Sequence, residues 1–406
     1  MLALRLARGA HPLVQLRRLL VAAASAGTGF LLLCTLAYAL EHPGAGAVLR
    51  LAWCLAPITA TAYFAVAVAR TDPGTRPRSG LSAVGLGPIR LMVLATISTA
   101  VACVLGSMVA LLFFLHLRGD VSGLPFDGAA AELLAAERPL PLAGTLTLLA
   151  VVPITASAAS ALALRPRPVK TTGKAGGKAT GEATGKEPGS EPVGDTDPDA
   201  PAPPPSGLPW GVALLAAGLA VETYASGSGG GPGSGVPMPG VGADGNPVGV
   251  LAGWALTALG LMLAGPGLTH LCGRLLQAVR PGAMRLLAGR VLQAEARLIG
   301  RPLGVLCAVA SAAYASIVLY AGPRPEAGPL TALGGLLVAG CAVLTLATAA
   351  VEARQARSET TAALLRLGAP ATVLRGSAVL RAGALFAVFG PLTWLVAELA
   401  ALPLAR

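Results

Sequence analysis

Long apolar runs alternate with short polar stretches along the whole chain, and most of the polar stretches are basic. The first run, Leu19–Leu40, is 22 residues long. As an α-helix it would rise roughly 33 Å at about 1.5 Å per residue, close to the thickness of a bilayer's hydrocarbon core. Eight more runs of similar length follow: Leu51–Ala69, Leu91–Leu117, Leu140–Leu164, Leu208–Ala225, Val248–Ala264, Pro302–Ala321, Pro329–Val351 and Ala382–Leu402. Membrane strands would show as alternating segments of about ten residues, and these runs do not alternate. The pattern predicts an all-α, polytopic bundle of nine spans. Pro57, Pro153 and Pro391 fall inside runs, where a neighbouring helix can satisfy the backbone group each one frees. The abundant small residues suit close helix–helix contact.

Composition agrees. Of 406 residues, 54% are hydrophobic and only 12% charged. A soluble domain carries about 25% charge, so half its polar coat is missing here and lipid must take its place. A signal peptide ending at Ala37-Tyr38-Ala39 is the rival reading of the first run, but its apolar core would exceed the usual ~7–15 residues.

The net charge of +11 raises nucleic acid as a partner, and its distribution argues against it. With the N-terminus inside, the cytoplasmic pieces are 1–18, 70–90, 165–207, 265–301 and 352–381, which hold 25 of the 30 Lys and Arg residues. The opposite side keeps Arg50, Arg118, Arg138, Arg324 and Arg406, and Gly119–Pro139 gathers Asp120, Asp127, Glu132 and Glu137. That asymmetry is the positive-inside rule, and it predicts a cytoplasmic N-terminus with Arg406 outside, in a plasma membrane protein. Membrane lipid is the partner it implies, and no nucleic acid.

Two stretches are compositionally odd. The segment 165–207 balances six basic against six acidic residues and reads as a disordered cytoplasmic linker. Ser226–Pro247 is rich in glycine and reads as a flexible outer loop. Neither holds a phosphate-binding loop, because the glycine needed five positions before Gly177-Lys178 is Thr172.

No catalytic, cofactor or metal site is predicted. Cys34, Cys54, Cys103, Cys272, Cys307 and Cys341 are scattered singly, without a CxxC or Cys/His pair, and read as apolar fillers. HExxH, GxSxG and an intramembrane Asp pair are all missing, and four histidines leave little for chemistry. The chain reads as a non-enzyme. Glu222 and Glu398 lie near the ends of their spans, where a carboxylate can reach headgroup water, and His116 and His270 also sit at span edges. Tyr38, Trp210, Tyr224 and Tyr320 are placed as interface anchors.

The two halves look alike. A basic arm (1–18) leads into two spans, the loop 70–90 and a third span; a second basic arm (284–301) leads into two spans, the loop 352–381 and a last span. Val84-Gly85-Leu86-Gly87 in one loop matches Leu367-Gly368-Ala369-Pro370 in the other. Both repeats run the same way through the membrane, a transporter-like design. Within the second arm, Met284, Leu287, Val291, Ala294 and Leu298 fall on one helical face. Arg285, Gln293, Arg297 and Arg301 fall on another, with Arg290 in the same basic set. That predicts a helix in the membrane interface with its arginines toward lipid phosphates.

Two motifs carry a family resemblance: Arg285-Leu-Leu-Ala-Gly-Arg290 just before a span, and the run from Glu359 through Leu364-Leu365-Arg366-Leu367-Gly368-Ala369 before the last span. In both the chain resembles the FtsX-like permeases of ATP-driven (ABC-type) systems, clearly over about 280–381 and more weakly over 1–117. The resemblance implies two permease-like units, 1–164 and 265–406, joined by the linker and by a bridging pair of helices over 208–264. It implies that Glu359, Leu364, Leu365, Arg366, Leu367, Gly368 and Ala369 meet a separate cytoplasmic ABC-type ATPase, that the arm passes on ATPase motion, and that a homodimer is compatible with the assembly. The family's duplicated members have ten helices and usually a sizeable outer domain after the first helix of each unit; here the gaps are only Glu41–Arg50 and Gly322–Gly328. The first loop has Arg76 and Arg78 but no counterpart of Glu359. Two other classes stay open: a non-transporting membrane scaffold or signalling protein, and a secondary carrier, which would need a polar midplane site that these spans scarcely offer.

Overall fold

The computed structural model describes residues 12–71, 88–120, 128–131, 134, 136–165, 205, 207–227, 247–278, 282–320, 328–368 and 370–401. Among them there are helices and connecting turns and no strand. The start of the first arm, nearly all of the first loop with Arg76, Arg78 and Val84–Gly87, almost all of the 165–207 linker, residues 228–246, Asp127, Glu132, Arg324, Ala369 and Arg406 lie outside the described residues.

The helices are α1 (Pro12–Glu41), α2 (Ala45–Trp53), α3 (Leu55–Thr71), α4 (Pro88–Arg118), α5 (Leu142–Leu164) and α6 (Leu208–Gly227). They continue with α7 (Pro247–Ala278), α8 (Ala283–Tyr320), α9 (Pro329–Ala356), α10 (Ser358–Arg366) and α11 (Ala371–Ala401). Nine stretches among the described residues are long and apolar enough to cross a membrane, as the hydropathy pattern predicted. The protein is an all-α, multi-pass membrane protein.

The expected ends shift in three places. The span read as Leu51–Ala69 is two helices that bend at Cys54, because Pro57 has no N–H to give the Trp53 carbonyl and fits the first turn of a new helix. The span read as Val248–Ala264 continues through Pro266 to Ala278, so the cytoplasmic loop expected over 265–301 is largely an antiparallel helical hairpin of α7 and α8. The last span begins eleven residues early, at Ala371.

The helices form two packed groups. In the first, α1 lies against α4, and α5 packs on α4, α3 and α1. Its core joins Val21 and Ala24 of α1, Phe64, Ala65 and Val68 of α3, Cys103 of α4 and Ala156 of α5. Pro153 frees the Leu149 carbonyl, and the Ser107 hydroxyl donates to it from α4 at 3.3 Å. A second cluster, with Leu33, Phe114 and Leu149, also buries Leu134 of the α4–α5 connection.

In the other group α7 runs between α6 and α8, and α11 packs on α8. Glycines set the spacing here. A Cβ added to Gly260 would fall 2.8 Å from the Gly211 carbonyl oxygen, and one on Gly300 2.6 Å from Cα of Pro266. One on Gly273 would fall 2.8 Å from the Gly289 carbonyl oxygen. Helix α9 joins the groups, packing on α8 on one side and on α3 and α1 on the other. There the Thr28 and Thr61 hydroxyls share a 2.9 Å hydrogen bond beside Cys341. All six cysteines are free and buried, as apolar fillers should be.

Candidate functional site

The charged end of the second group is the most elaborated part of the described chain. Helix α9 ends and α10 begins at a single residue, Arg357, whose Nε–H donates to the Ala353 carbonyl at 3.2 Å. Across from it stands Glu295, the one acidic residue among the arginines of the arm, and it is buried. Its carboxylate lies 2.7 Å from Arg357 Nε and 3.8 Å from Arg381 Nη1 of α11. A buried carboxylate is tolerable when cations flank it, and here both cations come from other helices. Glu295 thus ties the arm to the joint before α10 and to the base of α11. A second tie is steric: Cβ at Gly376 of α11 would fall 2.9 Å from Met284 Sδ, at the start of the arm.

The helix α10 held by this joint has nine residues, none buried. Glu359 is in its first turn and Arg366 in its last, the arrangement that complements the helix dipole. Leu364 is half-buried, Leu365 is 48% exposed and Leu367 84% exposed. Gly368 ends the helix with φ of 86°, a left-handed conformation suited to glycine, and its N–H donates to the Leu365 carbonyl at 3.1 Å. The predicted leucines are therefore presented around a helix that stops at the predicted glycine; Ala369 lies outside the described residues.

The arm departs from expectation. It is continuous with the span in one helix, α8, and its buried side is Ala288, Gly289, Leu292, Glu295, Ala296 and Gly300, packed on the α7 extension. The face expected to be apolar is turned away from this contact: Met284 and Ala294 are exposed, and Leu287, Val291 and Leu298 half-buried. Arg290, Arg297 and Arg301 are exposed and Arg285 is half-buried. Small residues flanking Leu292 and Glu295 mark the packed side. Glycine at 289, 300 and 304 was the available signal; Glu295, alone among arginines, was the other.

At the far end a second feature contradicts the sequence reading. Glu222 does not reach headgroup water: it is 1% exposed, and the Trp254 indole N–H donates to its Oε1 at 2.7 Å. Glu398 is half-buried and accepts from the Tyr314 hydroxyl at 2.9 Å. The expected anchors Trp210 and Tyr224 are exposed, and Tyr38 stacks on His42 beneath the Arg50 guanidinium. Arg118, 4% exposed, donates to the Arg138 and Ala136 carbonyls and pairs with Asp120 at 3.4 Å, closing the α4–α5 connection.

No family model matches the chain, and neither a curated protein nor a solved structure is detectably similar to it. Function has to be argued from the geometry alone.

Proposed function

We propose that this chain is the membrane subunit of an ATP-driven complex of the FtsX-like permease type, non-catalytic itself, whose α10 docks a separate cytoplasmic ABC-type ATPase. The observation that carries the reading is α10: a short helix with complementary end charges, uncovered leucines, and a joint pinned by Glu295 to the arm and to α11. A connection between two spans needs only a few polar residues. A braced helix with exposed Leu365 and Leu367 is what a groove on a partner would grip, with Glu359 and Arg366 setting register. Force applied to α10 would pass through Arg357 and Glu295 directly into α8.

The packing pattern supports two related units. The first helix of each lies on the third, α1 on α4 and α8 on α11, and also on the second, α1 on α3 and α8 on α9. The two second helices, α3 and α9, meet each other. In this reading the arginine-rich end faces the cytoplasm.

The test is co-purification of the full chain with an ABC-type ATPase, for wild type and for a triple variant Glu359→Arg, Leu365→Asp, Arg366→Glu. The variant should insert normally and lose the ATPase. Full retention by the variant would exclude α10 as the docking element and favour the scaffold reading.

A further inference from the structure

Glu222 sits about one and a half turns inside the far end of α6, in the seam with α7. Helices α6 and α7 are in backbone contact on either side of it: a Cβ on Gly253 would fall 2.9 Å from Cβ of Glu222, and one on Gly218, a turn below, 2.6 Å from the Thr257 amide nitrogen. Glu222 Oε1 has its donor in Trp254, but Oε2 is buried without a hydrogen-bond partner. The Thr257 hydroxyl, one turn from Trp254 on the same helix, is likewise buried and unpartnered. That is unusual for this chain. Thr28, Thr99, Thr269 and Thr345 all satisfy their hydroxyls on the carbonyl four residues back, at 2.6–3.0 Å. Thr257 instead places its hydroxyl against Gly218 of α6, the residue one turn before Glu222.

The charges around this point are accounted for. On α6 the other titratable group is Tyr224, which is 78% exposed. The first half of α7 has none. On α2, which reaches the seam through the Trp53–Trp254 edge contact at 6.0 Å, Arg50 lies over the Tyr38 ring. On α11, which also touches α6, Glu398 is turned to Tyr314 of α8. Among the described residues the acidic partners in ion pairs are Asp120 and Glu295, not Glu222. An ionised carboxylate held in an apolar seam by one indole N–H and no cation would be costly, whereas a neutral acid needs one acceptor for its O–H.

We propose that the α6–α7 seam is a proton-binding site, in which Glu222 is carried as the neutral acid, its Oε1 accepting from Trp254 and the proton on Oε2, the oxygen that no donor reaches. Release of that proton leaves a bare carboxylate between helices packed at glycine distance, with no room for the water it would then need. Deprotonation and separation of α6 from α7 at the far end are therefore one event.

The test is isotope-edited infrared spectroscopy of the full chain in lipid bilayers, with carbon-13 in the glutamate side chains. At pH 7 the wild type should show the C=O stretch of a protonated carboxyl. Glu222→Gln, nearly isosteric and neutral, should abolish it, while Glu398→Gln and Glu359→Gln leave it in place. A wild type without the band at pH 7, or a band lost in Glu398→Gln and kept in Glu222→Gln, overturns the proposal. None of these readings depends on an ATPase partner.

Discussion

The two helix groups solve the same packing problem with a different balance of side-chain volume and glycine contact. In the first, α1, α3, α4 and α5 interlock through side chains: Phe64, Phe114, Leu32 and Leu33 are fully buried, and Ser25 and Ser107 reach across to carbonyls of neighbouring helices. In the second, α6, α7 and α8 bring backbone to backbone along glycines. Lipid tails are as apolar as leucine, so burying leucine gains little in a membrane and closeness of contact decides. The first group has one such contact, Gly106 of α4 against the Ala22 carbonyl of α1, and the second repeats it along three helices around buried Leu261 and Leu292. The second should therefore be the more sensitive to added volume and the first to lost volume.

The largest expected effect comes from adding volume to the second group. A Cβ on Gly304 would collide with the Leu261 carbonyl oxygen of α7, which is backbone and cannot rotate away. Gly304→Leu should cost about 3 kcal/mol or more, the upper end for overpacking. Gly340→Leu in α9 and Gly383→Leu in α11 face open space and should stay within about 0.5 kcal/mol of wild type. Unfolding of the purified protein in detergent measures all three, and equal behaviour would show that close glycine contact does not hold the second group together.

Removing volume should hurt the first group. Phe64 is fully buried where α1, α3, α4, α5 and α9 converge, so Phe64→Ala leaves a cavity that none of the five can fill alone. A loss of about 3 kcal/mol is expected in the same unfolding measurement, the low end for buried aromatic truncation because lipid lessens the transfer contribution. A loss under 1 kcal/mol would mean the group collapses onto the gap and is less tightly interlocked than its burial implies.

The contrast also explains what the sequence made legible. Spans could be read because length and apolarity are local properties, and Pro153 could be trusted inside one because a neighbour such as Ser107 can answer the freed carbonyl. Orientation of a helix face could not be read the same way. In water the large apolar side of 284–301 would be the packed one; here the small side, Ala288 to Gly300, packs, because lipid accepts the large residues equally well. The run of α7 past Pro266 was hidden for a related reason: the helix continues where Gly300 and Gly304 of α8 lie against it, a contact separated by more than thirty residues. Glu222 was misplaced because its burial depends on Trp254, which no local pattern announces; Glu295 stood out alone among arginines, but its partners Arg357 and Arg381 lie on distant parts of the chain.

A smaller effect is expected where the second group meets its charged end. Glu295→Gln keeps the shape of the side chain but removes the charge that faces two arginines. A fully buried pair broken this way costs about 3–5 kcal/mol. With the Arg357 side chain 29% exposed, water takes up part of the loss, and about 1–2 kcal/mol is expected. Because Arg357 is the joint before α10, the same variant should raise amide hydrogen exchange in 358–366 and leave α1–α5 unchanged. Exchange that rises evenly through both groups would show that Glu295 steadies the whole bundle and not the joint.

The smallest effect on stability, and the most informative for function, is expected on α10 itself. Leu367 is 84% exposed, so Leu367→Asp removes almost no contact within the chain and should change unfolding by no more than about 0.5 kcal/mol. If α10 serves only to connect α9 to α11, the variant should behave as wild type in every assay. If it docks a partner, a carboxylate replaces an apolar anchor at the point where the leucines leave the helix, and association should weaken while the protein inserts and folds normally. Leu364→Asp is the internal comparison: Leu364 is half-buried against its own chain, so that change should perturb folding as well as binding. Pull-down of an ABC-type ATPase with the two variants, run beside their unfolding curves, separates the cases. Loss of the ATPase with an unmoved curve for Leu367→Asp makes α10 a contact surface; retention with an unmoved curve makes it a connector, and the basic end of the second group then needs another explanation.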